Sequence, residues 1–449
     1  MVTVNASYTE GDISVDASMQ VAIRVQGILG LSRGFNSFGE LDSEQTAISG
    51  QNIYSYALTR DKSRSISTKT ETFGAVSTQY VYGYDLLGRL ISVTMNGQVV
   101  EEYQYGANGT RTYDSNALRG ISGTTLSYSE EYHLLSAGNT SYQYDLDGFL
   151  TTKTSGSQIT GYSYSSRGEL LSVSLPDGRL IEYAYDPIGR RIAKKINGTI
   201  VEKYLWKGRS TLLAVYDGND NLLMRFMYAD ARVPLAMTKA GLNYYLCYDQ
   251  VGSLRFVTDT FGDVVKELDY DSFGNILSDS DPTFRVPFAF AGGLYDPDTG
   301  LVHFGYRDYD PDTGRWISED PLGFGGGDVN LFAYVDTVGK PLTLTSLSGY
   351  TDLVRIPTLE SNLYTYSGNN PVMFIDPDGQ IIMAIAPYAA YVMAAGFFAW
   401  AAWWFWDATH PPSQPPYIDK PPDPAAPGSP GMPRNFPPYE YVPSPPPCR

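Results

Sequence analysis

The side chains able to do chemistry in this 449-residue chain are carboxylates. His occurs three times (His133, His303, His410) and Cys twice (Cys247, Cys448), all scattered. A His-based metal site or a Ser-His-Asp triad would have to draw on one of those three. Asp308 and Asp320 are twelve residues apart and flank Asp310-Pro311-Asp312-Thr313-Gly314, a turn signal that lets the two flanks face each other. Two close carboxylates can share a proton and split their pKa values, so that one activates water and the other protonates a leaving amide. Arg307, beside Asp308, could hold one of them ionised. The same residues also read as plain turn structure, because Tyr295-Asp296-Pro297-Asp298-Thr299-Gly300 repeats the pattern of Tyr309 to Gly314 fourteen residues earlier. The acidic turns could take calcium, but no run of ligands has a known loop spacing. No metal and no cofactor is expected.

These residues sit in an unusual composition. The chain holds 36 Tyr, 44 Gly and 29 Pro, and sixteen of the Pro fall between Pro411 and Arg449, so a Tyr/Gly-rich body precedes a Pro-rich tail. Tyr suits pleated, half-buried surfaces and Gly suits tight turns, which makes the body all-β. Aromatic triplets followed by a Gly turn recur, as in Tyr82-Gly83-Tyr84-Asp85 with Gly88-Arg89 and Tyr183-Ala184-Tyr185-Asp186 with Gly189-Arg190. The key Tyr fall at 84, 105, 128, 144, 164, 185, 204, 228, 248 and 270, nine steps with a mean near 21. Asn96-Gly97, Asp177-Gly178, Asn197-Gly198 and Asp217-Gly218 lie about halfway between triplets, and such pairs favour hairpin turns. Each repeat is read as one hairpin laid edge to edge with the next, giving a long, curved antiparallel sheet. The Tyr-Asp pairs serve this sheet: Tyr packs across strands and Asp caps the following turn. A net charge of −17 excludes binding to nucleic acid by charge.

With these residues in view, the chain resembles the Rhs/YD-repeat family over roughly residues 75 to 380. The repeats carry part of the likeness. The segment from Tyr306-Arg307-Asp308-Tyr309 through Gly314-Arg315-Trp316-Ile317 to Asp320-Pro321-Leu322-Gly323 carries more, because it is similar to the Rhs repeat-associated core block. Asn362-Leu363-Tyr364-Thr365-Tyr366, Asn369-Asn370-Pro371 and Asp376-Pro377-Asp378-Gly379 are similar to that block's closing signature. The resemblance implies a partial β-cage around the segment downstream of the core, often a toxin, and an aspartyl-type self-cleavage. It places Arg307, Asp308 and Asp320 in catalysis and the cut just after Asp376-Pro377-Asp378-Gly379, within about 380–383. One departure stands out: the stretch from Gly323 to Asp376 is longer than the family spacing, because Asn330-Leu331-Phe332-Ala333-Tyr334 begins a first copy of the closing signature.

The chain therefore divides into hairpin repeats over 1–284, a core block over 285–380, an apolar run over 381–406 and a Pro-rich tail over 407–449. From Ile381 to Trp406 no residue is charged, enough as a helix to cross a hydrocarbon core. Tyr388 and Tyr391 near one end, and Trp400 to Trp406 near the other, suit two membrane interfaces. The tail is expected to be extended or disordered. The partners expected are a membrane at 381–406, the chain's own C-terminal segment or another Rhs-type chain, and carbohydrate on the repeated aromatics. The start shows no secretory signal peptide, and the resemblance implies a membrane-associated, secreted or cell-surface bacterial protein. The leading expectation is encapsulation or delivery of a short membrane-active or anchored segment, with self-cleavage. The alternatives are a non-enzymatic, membrane-anchored module for adhesion or glycan contact, and an inactive fragment.

Overall fold

Period-two strands separated by turn residues every ten or so positions should give a meander, and they do. The structure is a computed structural model, and it describes residues 2–4, 11–15, 21–25, 28–107, 109–208, 210–228, 233–319, 366–377 and 383–384. Among them, twenty-seven strands from Val2–Val4 to Ile276–Asp279 form one antiparallel sheet. Each strand pairs with the one before and the one after it in sequence.

Two kinds of turn join the strands. Among the described residues, tight two-residue turns occur at one edge only. That edge also carries five-residue loops at 175–179, 217–221 and 259–263, so Asp177-Gly178 and Asp217-Gly218, expected as tight turns, lie in longer loops. At that edge, Asn96 and Asn197 take φ of 48° and 50°, and the Gly after each takes 83° and 78°, as tight hairpin turns require. At the other edge, Asp85 closes a five-residue loop. Its Oδ1 accepts the N–H groups of Leu87 (2.9 Å) and Arg89 (3.0 Å), and its Oδ2 accepts Arg89 Nε at 2.7 Å. Asp186 binds Ile188 and Arg190 in the same way. Ser129 and Ser165 do it with a hydroxyl. The Asp of the triplet is therefore committed to its own loop.

Just before each loop the register slips by one residue, at Gly83/Tyr84, Gln104/Tyr105, Ser127/Tyr128 and Ala184/Tyr185. Such bulges bend a strand and leave ladder groups unpaired. The second Tyr of the triplet answers that need. Tyr84, Tyr105, Tyr128 and Tyr185 donate their hydroxyls to the carbonyls of Ile66, Leu90, Arg111 and Leu170, at 2.7–2.9 Å. These hairpins are thereby tied to the ones before them, whereas Tyr164 donates instead to the Ile317 carbonyl of the core block. The repeat counted at Tyr204 lies two residues later in the structure. The bulge falls at Leu205/Trp206, and Trp206 Nε1 donates to the Arg191 carbonyl at 2.7 Å. Tyr204 instead donates to Glu202. Counting tyrosines misplaces this repeat because Trp stands in for Tyr.

The bulges let the sheet bend until its inner face meets itself. Phe256 stacks on Phe73 with ring centroids 4.0 Å apart, although the two strands are far apart in the meander. Tyr54, Ile66, Leu90, Val93 and Tyr103 are buried in the same cluster. Against the sheet lies a four-stranded meander, Leu294–Tyr295, Val302–Phe304, Arg307–Asp310 and Arg315–Trp316. Phe374–Ile375 pairs antiparallel with Met383–Ala384. That pairing corrects one expectation: an apolar helix does not begin at Ile381, since residues 383–384 are extended. The rest of the apolar run and the Pro-rich tail lie outside the described residues. Among the described residues no helix is long and apolar enough to cross a membrane.

Two substitutions test this account of the sheet by urea denaturation. Trp206→Phe removes one side-chain-to-carbonyl bond and should cost about 1 kcal/mol. Gly274→Ala should cost about 3 kcal/mol or more, because Gly274 takes φ +90° and a Cβ there would overlap the Phe290 ring.

Candidate functional site

The candidate site is built on the strand Arg307–Asp310, all four residues of which are buried. It pairs with Val302–Phe304 on one side and Arg315–Trp316 on the other. Successive side chains of a strand point to opposite faces. Arg307 and Asp308 are therefore aimed apart despite being neighbours. Arg307 Nη2 donates to Asp376 at 2.9 Å, and the guanidinium lies 4.1 Å from the centroid of the Trp316 ring. Asp376 opens the cleavage motif, so the structure joins the block's middle strand to that motif. Pro377 follows as a described residue, whereas Asp320, Asp378 and Gly379 lie outside the described residues.

Asp308 faces the large sheet. Arg191 Nη2 reaches its two oxygens at 2.8 and 3.1 Å, and His303 Nδ1 lies 3.3 Å away without hydrogen-bond alignment. Burial alone would raise the Asp308 carboxyl. The charge of Arg191, then that of His303, outweighs it and holds the group below the ordinary carboxylate range. His303 is pushed down, first by burial and then by Arg191, which favours the neutral ring at neutral pH. The ion pair that the sequence placed between neighbours is made instead by a residue 117 positions away.

The two acidic turns are matched by cations of the sheet and of its connecting turns. Lys194 Nζ donates to Asp296 at 2.6 Å and to Asp298 at 2.5 Å, and the Tyr183 hydroxyl donates to Asp296 at 2.6 Å. Arg179 also binds Asp298. In the second turn, Lys153 Nζ reaches Asp310 at 3.2 Å and Asp312 at 3.0 Å, and Arg119 binds Asp312. The repeated Asp-Pro-Asp-Thr-Gly is thus the means by which the block docks on the sheet. Backbone contacts add to it: Tyr309 donates to the Phe273 carbonyl, Asn275 to that of Pro311 and Arg315 to that of Tyr132.

The closing signature completes the block. Tyr366 lies with its ring centroid 4.4 Å from Tyr309 and 5.4 Å from Trp316. Asn369 and Asn370 donate to the carbonyls of Gly109 and Gly88, in two loops of the sheet. The second copy of the signature is therefore seated, while the first copy, at 330–334, lies outside the described residues. Arg191, His303, Lys194 and Lys153 are the residues that sequence reasoning did not assign. The only local signal was inward-facing charge on otherwise apolar strand faces, which does not say what it meets.

The Asp308–Arg191 pair has a calculable consequence. Asp308→Asn leaves Arg191 buried without its counter-charge and should cost about 3–5 kcal/mol. Because the folded value is depressed, the pair's contribution is present above the unfolded value near pH 4 and is lost as pH falls through the lower folded one. The gap between the melting temperatures of wild type and variant should therefore shrink below about pH 4.

Comparison with known proteins follows the same outline. A family model described as Teneurin YD-shell matches residues 12–372. Teneurin-3 of Danio rerio is 28% identical over 352 residues, covering 77% of this chain and 12% of its own length. The tRNA3(Ser)-specific nuclease WapA of Bacillus spizizenii is 28% identical over 316 residues, covering 69% of this chain and 12% of its own. The chain thus spans about an eighth of the length of these relatives. A structure of the Photorhabdus luminescens Tc holotoxin pore aligns at 16% identity with a TM-score of 0.34, covering 84% of this chain and 23% of that one.

Proposed function

Because the chain belongs to the teneurin YD-shell family, we propose that it is the shell-and-plug portion of an Rhs-type protein, extracellular or displayed at a cell surface. The YD sheet is the wall, the core block is the plug, and the segment after Asp376 is what the plug holds. The proposal extends to self-cleavage after Asp376-Pro377-Asp378-Gly379. In that step Asp308, held ionised, takes a proton from water as the water oxygen bonds to the scissile carbonyl carbon. The C–N bond then breaks as Asp320 gives a proton to the leaving nitrogen, leaving a new carboxyl and a new amine. The downstream product is a membrane-active or anchored segment built on 381–406. The observation that supports the reading is the Arg307–Asp376 ion pair at 2.9 Å, which seats the start of the cleavage motif on the block's middle strand. Because Asp308 points to that strand's opposite face, the bond after Gly379 must pass round the strand to reach it.

A second reading rests on the burial of Asp308 against Arg191 and His303. There the aspartate is a strut, and the protein is a non-enzymatic surface module. A denaturing gel of the full chain separates the two. Under cleavage, wild type yields a fragment ending near Gly379 and a remainder running on to Arg449, while Asp308→Asn and Asp320→Asn stay at 49.5 kDa. An uncut wild type removes the protease and leaves the strut. For the membrane segment, the full chain should stay with membranes through alkaline carbonate extraction, and its release would count against insertion.

A further inference from the structure

Away from the core block's ion pairs, the bent sheet buries a second set of carboxylates. Glu101, on the strand Gln98–Tyr105, is 2% exposed. Asp271, which opens the loop after the strand Val264–Tyr270, is 5% exposed. They are far apart in sequence and meet because the sheet folds back on itself. Glu101 accepts the Ser272 N–H at 3.1 Å and the Tyr103 hydroxyl at 2.7 Å. Asp271 accepts the side-chain amides of Asn116 (3.0 Å) and Asn275 (2.8 Å) and the N–H groups of Phe273 and Asn275.

The cations facing this pair do not balance it. Arg119 Nε is 3.8 Å from Asp271, but Arg119 is also bound by Asp312. Arg111 lies over the Phe273 ring and pairs with Asp114 at 3.3 Å. Glu101 has only neutral hydrogen-bond donors. Burial, then repulsion from Asp271, pushes Glu101 up to about 7. Burial also raises Asp271, with Arg119 offsetting part of the effect.

The loop 271–275 is a junction of three parts. It touches the early strands through Glu101 and Asn116, and its Phe273 ring lies edge-on to Tyr103 at 5.0 Å. It belongs to the late strands. It also holds the core block, through Asn275 to the Pro311 carbonyl and Tyr309 to the Phe273 carbonyl. We propose that the Glu101–Asp271 seam is a proton-operated joint: it is tight while the pair carries a proton and loosens when both carboxylates ionise. The sign follows from the linkage. A group whose folded value is raised adds stability that is full below its unfolded value and is lost as pH rises through the folded one. The joint therefore weakens on the alkaline side of neutral, the reverse of the Asp308–Arg191 pair, which fails in acid.

Hydrogen exchange of the full chain, followed by mass spectrometry at about pH 5.5 and pH 8 and corrected for intrinsic rates, tests this. Peptides covering 98–105 and 271–275 should lose protection by up to roughly thirtyfold at the higher pH, because the raised value of about 7 lies about 1.5 pH units above the lower pH and the contribution is gone once pH has passed it. Peptides from the outer hairpin 158–174 should not change. Glu101→Gln keeps an acceptor oxygen and removes the charge, and should retain at pH 8 the protection that wild type shows at pH 5.5. The proposal is overturned if the seam of wild type is flat across this range, or if wild type and Glu101→Gln lose protection equally. Should the variant not fold, the contrast between seam and outer hairpin in wild type decides the matter alone.

Discussion

A sheet of many strands must bend to bury anything, and bending interrupts its ladder. This protein meets both demands at the bulges before the Asp loops, and further register shifts at the other edge, such as Thr46/Ala47 and Lys194/Lys195, add to the bending. The bulge supplies curvature. The hydroxyl of the second Tyr then bonds a carbonyl one hairpin upstream, as Tyr84 does with Ile66 and Tyr185 with Leu170. The same side chain is half-buried, so its ring adds to the core while its hydroxyl keeps the backbone satisfied. Any residue that fits must have a large ring and a hydrogen-bond donor at its far end. Trp206 meets that condition and replaces Tyr without disturbing the repeat.

The curvature decides what the interior can hold. Inward-facing cations of the sheet, Lys153, Arg191 and Lys194, with Arg179 of a half-exposed loop, meet Asp310, Asp312, Asp308, Asp296 and Asp298 of the core block. Ion pairs in a low-dielectric interior are directional in effect, because a displaced partner leaves an unbalanced charge. They give a plug of short strands a single seat, which apolar packing of Tyr309, Trp316 and Tyr366 alone would specify less sharply. The carboxylates of the interior are not equivalent. Asp308 has a guanidinium against it and is held ionised, whereas Glu101 has neutral donors and a neighbouring acid, and is held toward its protonated form. Environment, and not residue type, assigns their roles.

Much of the sheet was legible because its determinants are local. Asn96-Gly97 states its own turn, and Asp85 with Gly88 and Arg89 states its own loop. The place at Tyr204 was misread because the rule there concerns a donor at a distance, which Trp also satisfies. The candidate site was legible only as a block of residues. Arg307 beside Asp308 suggested a pair, yet strand alternation separates them and sends Arg307 to Asp376. The residue that binds Asp308, Arg191, comes from the large sheet, and His303, on the neighbouring strand of the meander, lies beside it.

By itself, then, the sequence determined the hairpin unit, its regular spacing along the chain and the all-β class. Each of these rests on interactions within a few residues or between adjacent strands, where spacing alone settles who meets whom. Tertiary structure decided which charges pair and which carboxylates are held toward their protonated form. Those depend on how far the bulges bend the sheet, a sum over many repeats that brings Glu101 to Asp271 and Arg191 to Asp308.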